Sequence, residues 1–225
     1  MKKLILLFVI ILSCSEKSDQ KKDIKSDKDF TTVFEKSEGL ETATYQETIQ
    51  YYKDLADAYS EISIQAIGET DSGKPLHIVT LNMNSSDADF EAIRKNNRIL
   101  LINNGIHPGE SDGIDATMIL YRDMVQGKIN APKQTVIVTI PIYNIGGSLN
   151  RNSGTRTNQN GPITYGFRGN ARNYDLNRDF IKSDTKNAKT FAQIFHLVQP
   201  DVFIDNHVSN GADYQYTLTH LFTQH

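Results

Sequence analysis

The sequence predicts an α/β fold: a mixed, largely parallel sheet flanked by helices. Three observations predict it. Short apolar runs of strand length (RILLIN, 98–103; TVIVTI, 135–140; DVFID, 201–205) alternate with longer stretches of helical period. Two alternating segments, 62–67 and 76–81, flank the turn-rich ETDSGK and read as a hairpin. The chain has 225 residues, 23% charged and 38% hydrophobic, with 14 Gly and 6 Pro. That composition rules out collagen-like, coiled-coil and wholly disordered chains, and the length suits one large domain.

The elements follow in order. Residues 1–14 (MKKLILLFVIILSC) place Lys2 and Lys3 before a nine-residue apolar run, far short of the roughly 20 residues of a membrane span. That pattern is a secretory signal. Ser13-Cys14 resembles a bacterial lipobox, in which Cys14 is lipidated. Residues 15–29 hold five Lys, five acidic residues and one Ile, which makes them a flexible tether. An exported lipoprotein is expected, periplasmic or outer-membrane facing, touching membrane only through its anchor.

The folded part is expected over 30–225. Tyr45, Ile49, Tyr52, Leu55 and Tyr59 mark one apolar face of a helix over 45–60. The hairpin strands come next, then the strand 98–103, a helix over 114–125 and the strand 135–140. Residues 146–173, rich in Gly, Asn and Arg, read as a long loop. A helix over 182–197 stops at Gln199-Pro200, and 201–205 reads as a short buried strand.

Charge and motifs narrow the chemistry. A formal net charge of −3 supplies no basic surplus for phosphate contacts, so nucleic acid is not expected as a partner. One Cys excludes disulfide scaffolds and Cys-rich zinc modules. The segment 68–75 (GETDSGKP) nearly spells a phosphate-binding loop. It ends in Pro75, which has no hydroxyl for a cation, and lies between hairpin strands. Neither HExxH nor GxSxG occurs.

Three segments carry the chemistry. His107-Pro-Gly-Glu110 leaves the strand 98–103, and Asp205-Asn206-His207 leaves the strand 201–205. Ligands collect at the carboxyl ends of strands in α/β sheets, so His107, Glu110 and His207 are expected to meet there. Two His and one Glu with an open fourth position form the ligand set of a catalytic zinc site. Taken alone, each of these two motifs more often marks a polar loop than a metal ligand. The third segment, NYDLNRDF (173–180), alternates polar and apolar residues. If extended, it projects Asp175, Asn177 and Arg178 to defined sides, and Arg beside an amide suits a carboxylate. His77, His196, His220 and His225 read as packing or surface residues, as do Tyr214 and Tyr216 in an expected strand.

In this order HPGE, NYDLNRDF and DNH resemble the zinc carboxypeptidase family, over roughly residues 45–220. IGETDSGKPL (67–76) is similar to that family's early hairpin. The resemblance implies Zn²⁺ held by His107, Glu110 and His207, with Asp175 fixing His107. It implies Asn177 and Arg178 gripping the terminal carboxylate of a peptide substrate. Arg156 is the best match to the arginine that opposes the oxyanion, with Arg151 and Arg172 as competitors, because 161–172 looks inserted. Metal-assisted hydrolysis of a C-terminal peptide bond is the implied reaction. The family also uses a Glu base downstream of the third ligand, and residues 208–225 contain none. The sequence is therefore expected to lack the C-terminal part of the fold, with impaired turnover. The alternatives are a zinc-dependent deacylase or amidase on N-acyl amino acids or cell-wall peptides, and a non-catalytic metal- or peptide-binding lipoprotein.

Overall fold

The computed structural model describes residues 28–85, 89–209, 215–216 and 219–220. The signal segment with Cys14, most of the tether, Tyr214 and His225 lie outside the described residues. Tyr216 is described and is not in a strand.

Phe30 is the first buried residue among those described. Two helices follow, α1 (Val33–Lys36) and α2 (Tyr45–Ala58), and each opens on a capping box. Thr32 pairs with Glu35 and Thr44 with Glu47, so side chains satisfy backbone N–H groups that a helix start leaves free. The buried face of α2 carries Tyr45, Ile49, Tyr52 and Leu55, as the periodicity predicts.

The hairpin forms from β1 (Ile62–Ile67) and β2 (Leu76–Leu81), in register from Ile62↔Leu81 to Ile67↔Leu76. Then come α3 (Phe90–Arg94), β3 (Arg98–Asn103), α4 (Asp112–Val125), β4 (Thr135–Ile140), α5 (Ile145–Leu149), a 3₁₀ turn at Leu176–Arg178, α6 (Lys186–Val198) and β5 (Val202–Asp205).

The sheet order is β1-β2-β4-β3-β5. β1–β2 and β2–β4 are antiparallel, whereas β3 is parallel to both β4 and β5. The sheet is therefore mixed, with parallel pairing confined to the half that holds the chemistry. β3 and β4 are buried along nearly their whole length, as continuous apolar runs require. Tyr121 of α4 is fully buried, stacks edge-on against Tyr52 of α2, and sets its hydroxyl 3.0 Å from Val79 O and 2.9 Å from Thr139 Oγ1, fastening α4 across β2 and β4.

Four expectations change. β5 is not buried: Val202, Phe203 and Ile204 are 54%, 38% and 40% exposed, because among the described residues β5 pairs only with β3. The 146–173 stretch is not all loop, since it contains most of α5. Asn144 caps α5, and Gly146 and Gly147 let it sit against Ala171 and the Phe167 carbonyl, where a Cβ would come within 2.3 Å of either. The 182–197 helix starts at Lys186, because Thr185 caps it and Asp179 takes up the Asp184 and Thr185 N–H groups. Residues 173–180 are not extended: the Asp175 side chain accepts the Asn177 N–H and starts the 3₁₀ turn.

Candidate metal centre

Because β3, β4 and β5 run parallel, their carboxyl ends share one edge of the sheet. The loop after β3 turns at Gly105 (φ +65°) and delivers His107 and Glu110, exposed by only 2% and 4%. His207 arrives from the end of β5. Asn206 Nδ2 donates to Asn104 Oδ1 at 2.8 Å and joins the two strand ends. Gly113 leaves room for that contact, since a Cβ there would lie 2.7 Å from Asn206.

Glu110 sits at the centre. Its Oε1 lies 3.1 Å from His107 Nδ1, and its Oε2 lies 3.0 Å from His207 Nδ1 and accepts the Val208 N–H at 3.1 Å. One donor atom from each of His107, Glu110 and His207 falls within 4.8 Å of the others. The outer nitrogens are also held. His107 Nε2 is 3.0 Å from Asp175 Oδ1, and His207 Nε2 is 2.9 Å from Asp205 Oδ2. With each Nε2 facing a carboxylate, each Nδ1 is left for a shared ligand. Two imidazole nitrogens and one carboxylate form a donor set that suits Zn²⁺.

The charges are consistent with a site built around cations. Burial would raise the Glu110 carboxyl, but hydrogen bonds from His107 and His207 outweigh it and hold the group well below the usual carboxylate range. Asp205 first, then Glu110, push the His207 imidazole up to about 9. Against its own burial, Asp175 is held below its usual range by His107 and then Arg168.

The arginines divide clearly. Arg156 Nη2 lies 2.9 Å from Glu110 Oε1; its guanidinium also binds Gln159, whose Nε2 donates to Gly109 O at 2.9 Å. Arg151 donates to the carbonyls of Thr42 and Thr164, and Arg172 lies over the Tyr174 ring at 4.7 Å. Neither is recorded in contact with the His–Glu–His group. Arg168, which sequence reasoning missed, places Nε and Nη2 at 3.1 and 2.9 Å from Asp175 Oδ2, with Nη1 3.5 Å from His107 Nδ1. Its only signal was membership in a stretch with three other arginines. Asp205 stands two residues before His207, and the sequence alone assigns it no role.

Arg178 is exposed, hydrogen-bonds the Asn177 carbonyl at 3.1 Å, and pairs with no carboxylate among the described residues. It lines a cleft of about 470 Å³ with Arg172, Tyr174, Asp175 and Lys182. Asp175 thus borders this cleft on one side and His107 on the other.

The family model for zinc carboxypeptidases matches residues 48–202, well over half of the chain and including His107, Glu110, Asp175, Asn177 and Arg178. The chain belongs to the zinc carboxypeptidase family. No curated protein matches the sequence. Solved zinc carboxypeptidase folds are similar in structure. A metallo-carboxypeptidase from Burkholderia cenocepacia is 17% identical, with a TM-score of 0.57 over 76% of this chain and 43% of that one. One from Pseudomonas aeruginosa, in complex with (2-guanidinoethylmercapto)succinic acid, is 15% identical, with a TM-score of 0.52 over 75% and 40%. Bovine thrombin-activatable fibrinolysis inhibitor, in complex with tick carboxypeptidase inhibitor, is 14% identical, with a TM-score of 0.55 over 74% and 60%. The chain spans about two fifths of the two bacterial structures.

Proposed function

We propose that this chain carries the zinc-binding part of a metallocarboxypeptidase that removes C-terminal residues from peptides. The observation that carries the proposal is the convergence of His107 Nδ1, His207 Nδ1 and the Glu110 carboxylate, with both outer imidazole nitrogens on carboxylates. Zn²⁺ bound there would supply Lewis acidity for a scissile carbonyl and lower the pKa of a bound water. Asp175 would hold His107 in the tautomer that presents Nδ1. Arg178, which pairs with no carboxylate among the described residues, would hold the substrate's terminal carboxylate in the adjoining cleft, with the Asn177 amide beside it. Arg156 would turn from Glu110 toward negative charge developing on the substrate oxygen.

Two titrations test this reading. The chain should bind one Zn²⁺ in competition with a chelator, and H107A should weaken that binding at least a hundredfold. A peptide with a free C-terminus should bind the zinc-loaded chain at least tenfold more tightly than its C-terminal amide. R178M should remove that difference. Absence of zinc binding, or equal binding of acid and amide, would overturn the proposal.

We also propose that the protein is exported and anchored through Cys14, on the strength of Lys2-Lys3 and the apolar run before Ser13-Cys14. Labelled palmitate should enter the wild-type protein in a bacterial host and not C14S. Equal labelling of both removes the anchor.

A further inference from the structure

One residue of β3 breaks the logic of its strand. Ile99, Leu101 and Asn103 share one face, and all three are fully buried. Position 103 is therefore a place for an apolar side chain. It holds an amide instead, and Asn103 Oδ1 has no hydrogen-bond partner among the described residues. Burying an unpaired acceptor costs stability, so the residue needs another reason to be there.

The other end of the amide supplies the reason. Asn103 Nδ2 donates to Asp205 Oδ1 at 2.9 Å. The second oxygen of Asp205 faces His207 Nε2 at 2.9 Å. With Oδ1 taken by the amide, Oδ2 is turned toward the imidazole. The parallel pairing of β3 with β5 sets Asn103 opposite Asp205, so the contact belongs to the sheet register and not to a loop. A similar construction occurs on the other imidazole, where Arg168 holds Asp175 Oδ2 while Oδ1 faces His107 and also accepts the Asn177 N–H.

We infer that Asn103 and Asp205 are positioning residues that fix the orientation and tautomer of His207, so that Nδ1 faces the metal before the metal arrives. The inference rests on the reading of His107, Glu110 and His207 as a zinc site. Neither residue touches the substrate in this scheme; both act through His207. Carboxylates in this position typically contribute 10–100-fold to metal affinity.

The test is zinc affinity of the full 225-residue chain, measured by chelator competition, alongside the thermal midpoint of the zinc-free protein. D205N should weaken zinc binding about 10–100-fold. In an H207A background D205N should have no further effect, since the residue it positions is gone. N103L removes the donor without touching the carboxylate, and guards against a D205N chain that fails to fold. It should weaken zinc binding while leaving the zinc-free midpoint unchanged or raised, because the unpaired acceptor is lost. The cobalt-substituted protein should show a shifted visible absorption band in D205N.

Equal zinc affinity in wild type and D205N overturns the inference alone. So does an equal loss from D205N with and without His207. A lowered midpoint in N103L with unchanged zinc affinity makes Asn103 a structural tie between strands and overturns its part. No zinc binding by the wild-type chain overturns the site reading itself, and this inference with it.

Discussion

At the scale of single residues, Glu110 gathers the site. It accepts from the Val208 N–H, meets two imidazoles and receives Arg156. The glycine before it makes that approach possible. A Cβ on Gly109 would lie 2.6 Å from Arg156 Cδ and 2.9 Å from the Gly166 carbonyl. The side chain can shift, but the backbone oxygen yields less easily. G109A should therefore cost about 1–3 kcal/mol, the usual range for overpacking, and displace Arg156. Thermal unfolding checks the first effect, and an unchanged midpoint would remove the steric account. His107, Glu110 and His207 were legible in the sequence because each follows a strand of recognisable period. Arg168 was not, because its contact with Asp175 depends on how a Gly-rich segment folds back, which no period encodes.

At the scale of elements, side-chain caps and turns decide where regular structure stops. The 68–75 segment turns rather than cradling phosphate. Gly68 adopts φ +54° with no room for a Cβ beside Thr190, and Asp71 accepts from Asn170 Nδ2 at 2.9 Å. The hairpin tip is thereby docked on α6 and on the loop that presents Asp175. The first helix is tied down differently. Glu35 of α1 receives Arg122 of α4 through both guanidinium ends, at 2.6 and 2.9 Å. The Arg122 hydrogen bond, above all, lowers the Glu35 carboxyl from 4.5 to about 2. Its contribution to stability is complete above the unfolded value of 4.5 and is lost as pH falls through about 2, because the unfolded chain binds the proton first. Thermal midpoints of wild type and E35Q should be well separated near neutral pH and converge across that acid window. A separation that does not change with pH would sink this account. The 3₁₀ turn at Leu176–Arg178 takes the place of the extended segment that alternation suggests, because the Asp175 side chain competes for the Asn177 N–H and wins locally.

At the scale of the whole molecule, the strand order places β5 beside β3 and, among the described residues, at the rim of the sheet. Its apolar residues are exposed, and an exposed apolar edge is a template for pairing with another strand. The chain should associate as its concentration rises, and V202K should suppress that association without lowering the thermal midpoint. Sedimentation over a concentration series checks this, and a wild-type chain that stays monomeric throughout would overturn it. No helix among the described residues is long and apolar enough to cross a membrane.

The sequence by itself determined the alternation of strands and helices, the hairpin, the candidate ligand types and their order along the chain. These are local properties, set by side-chain period, turn chemistry and spacing. Tertiary structure alone decided that β5 lies at an exposed edge, that Arg156 rather than Arg151 or Arg172 reaches Glu110, and that Arg168 and Asn103 stand behind the carboxylates facing the two imidazoles. Arg156 with Glu110 and Asn103 with Asp205 join residues 46 and 102 positions apart, and Arg168 reaches Asp175 only because the intervening segment folds back. Such contacts depend on which strands pair and in which register, and a run of residues read alone carries no record of its neighbours in space.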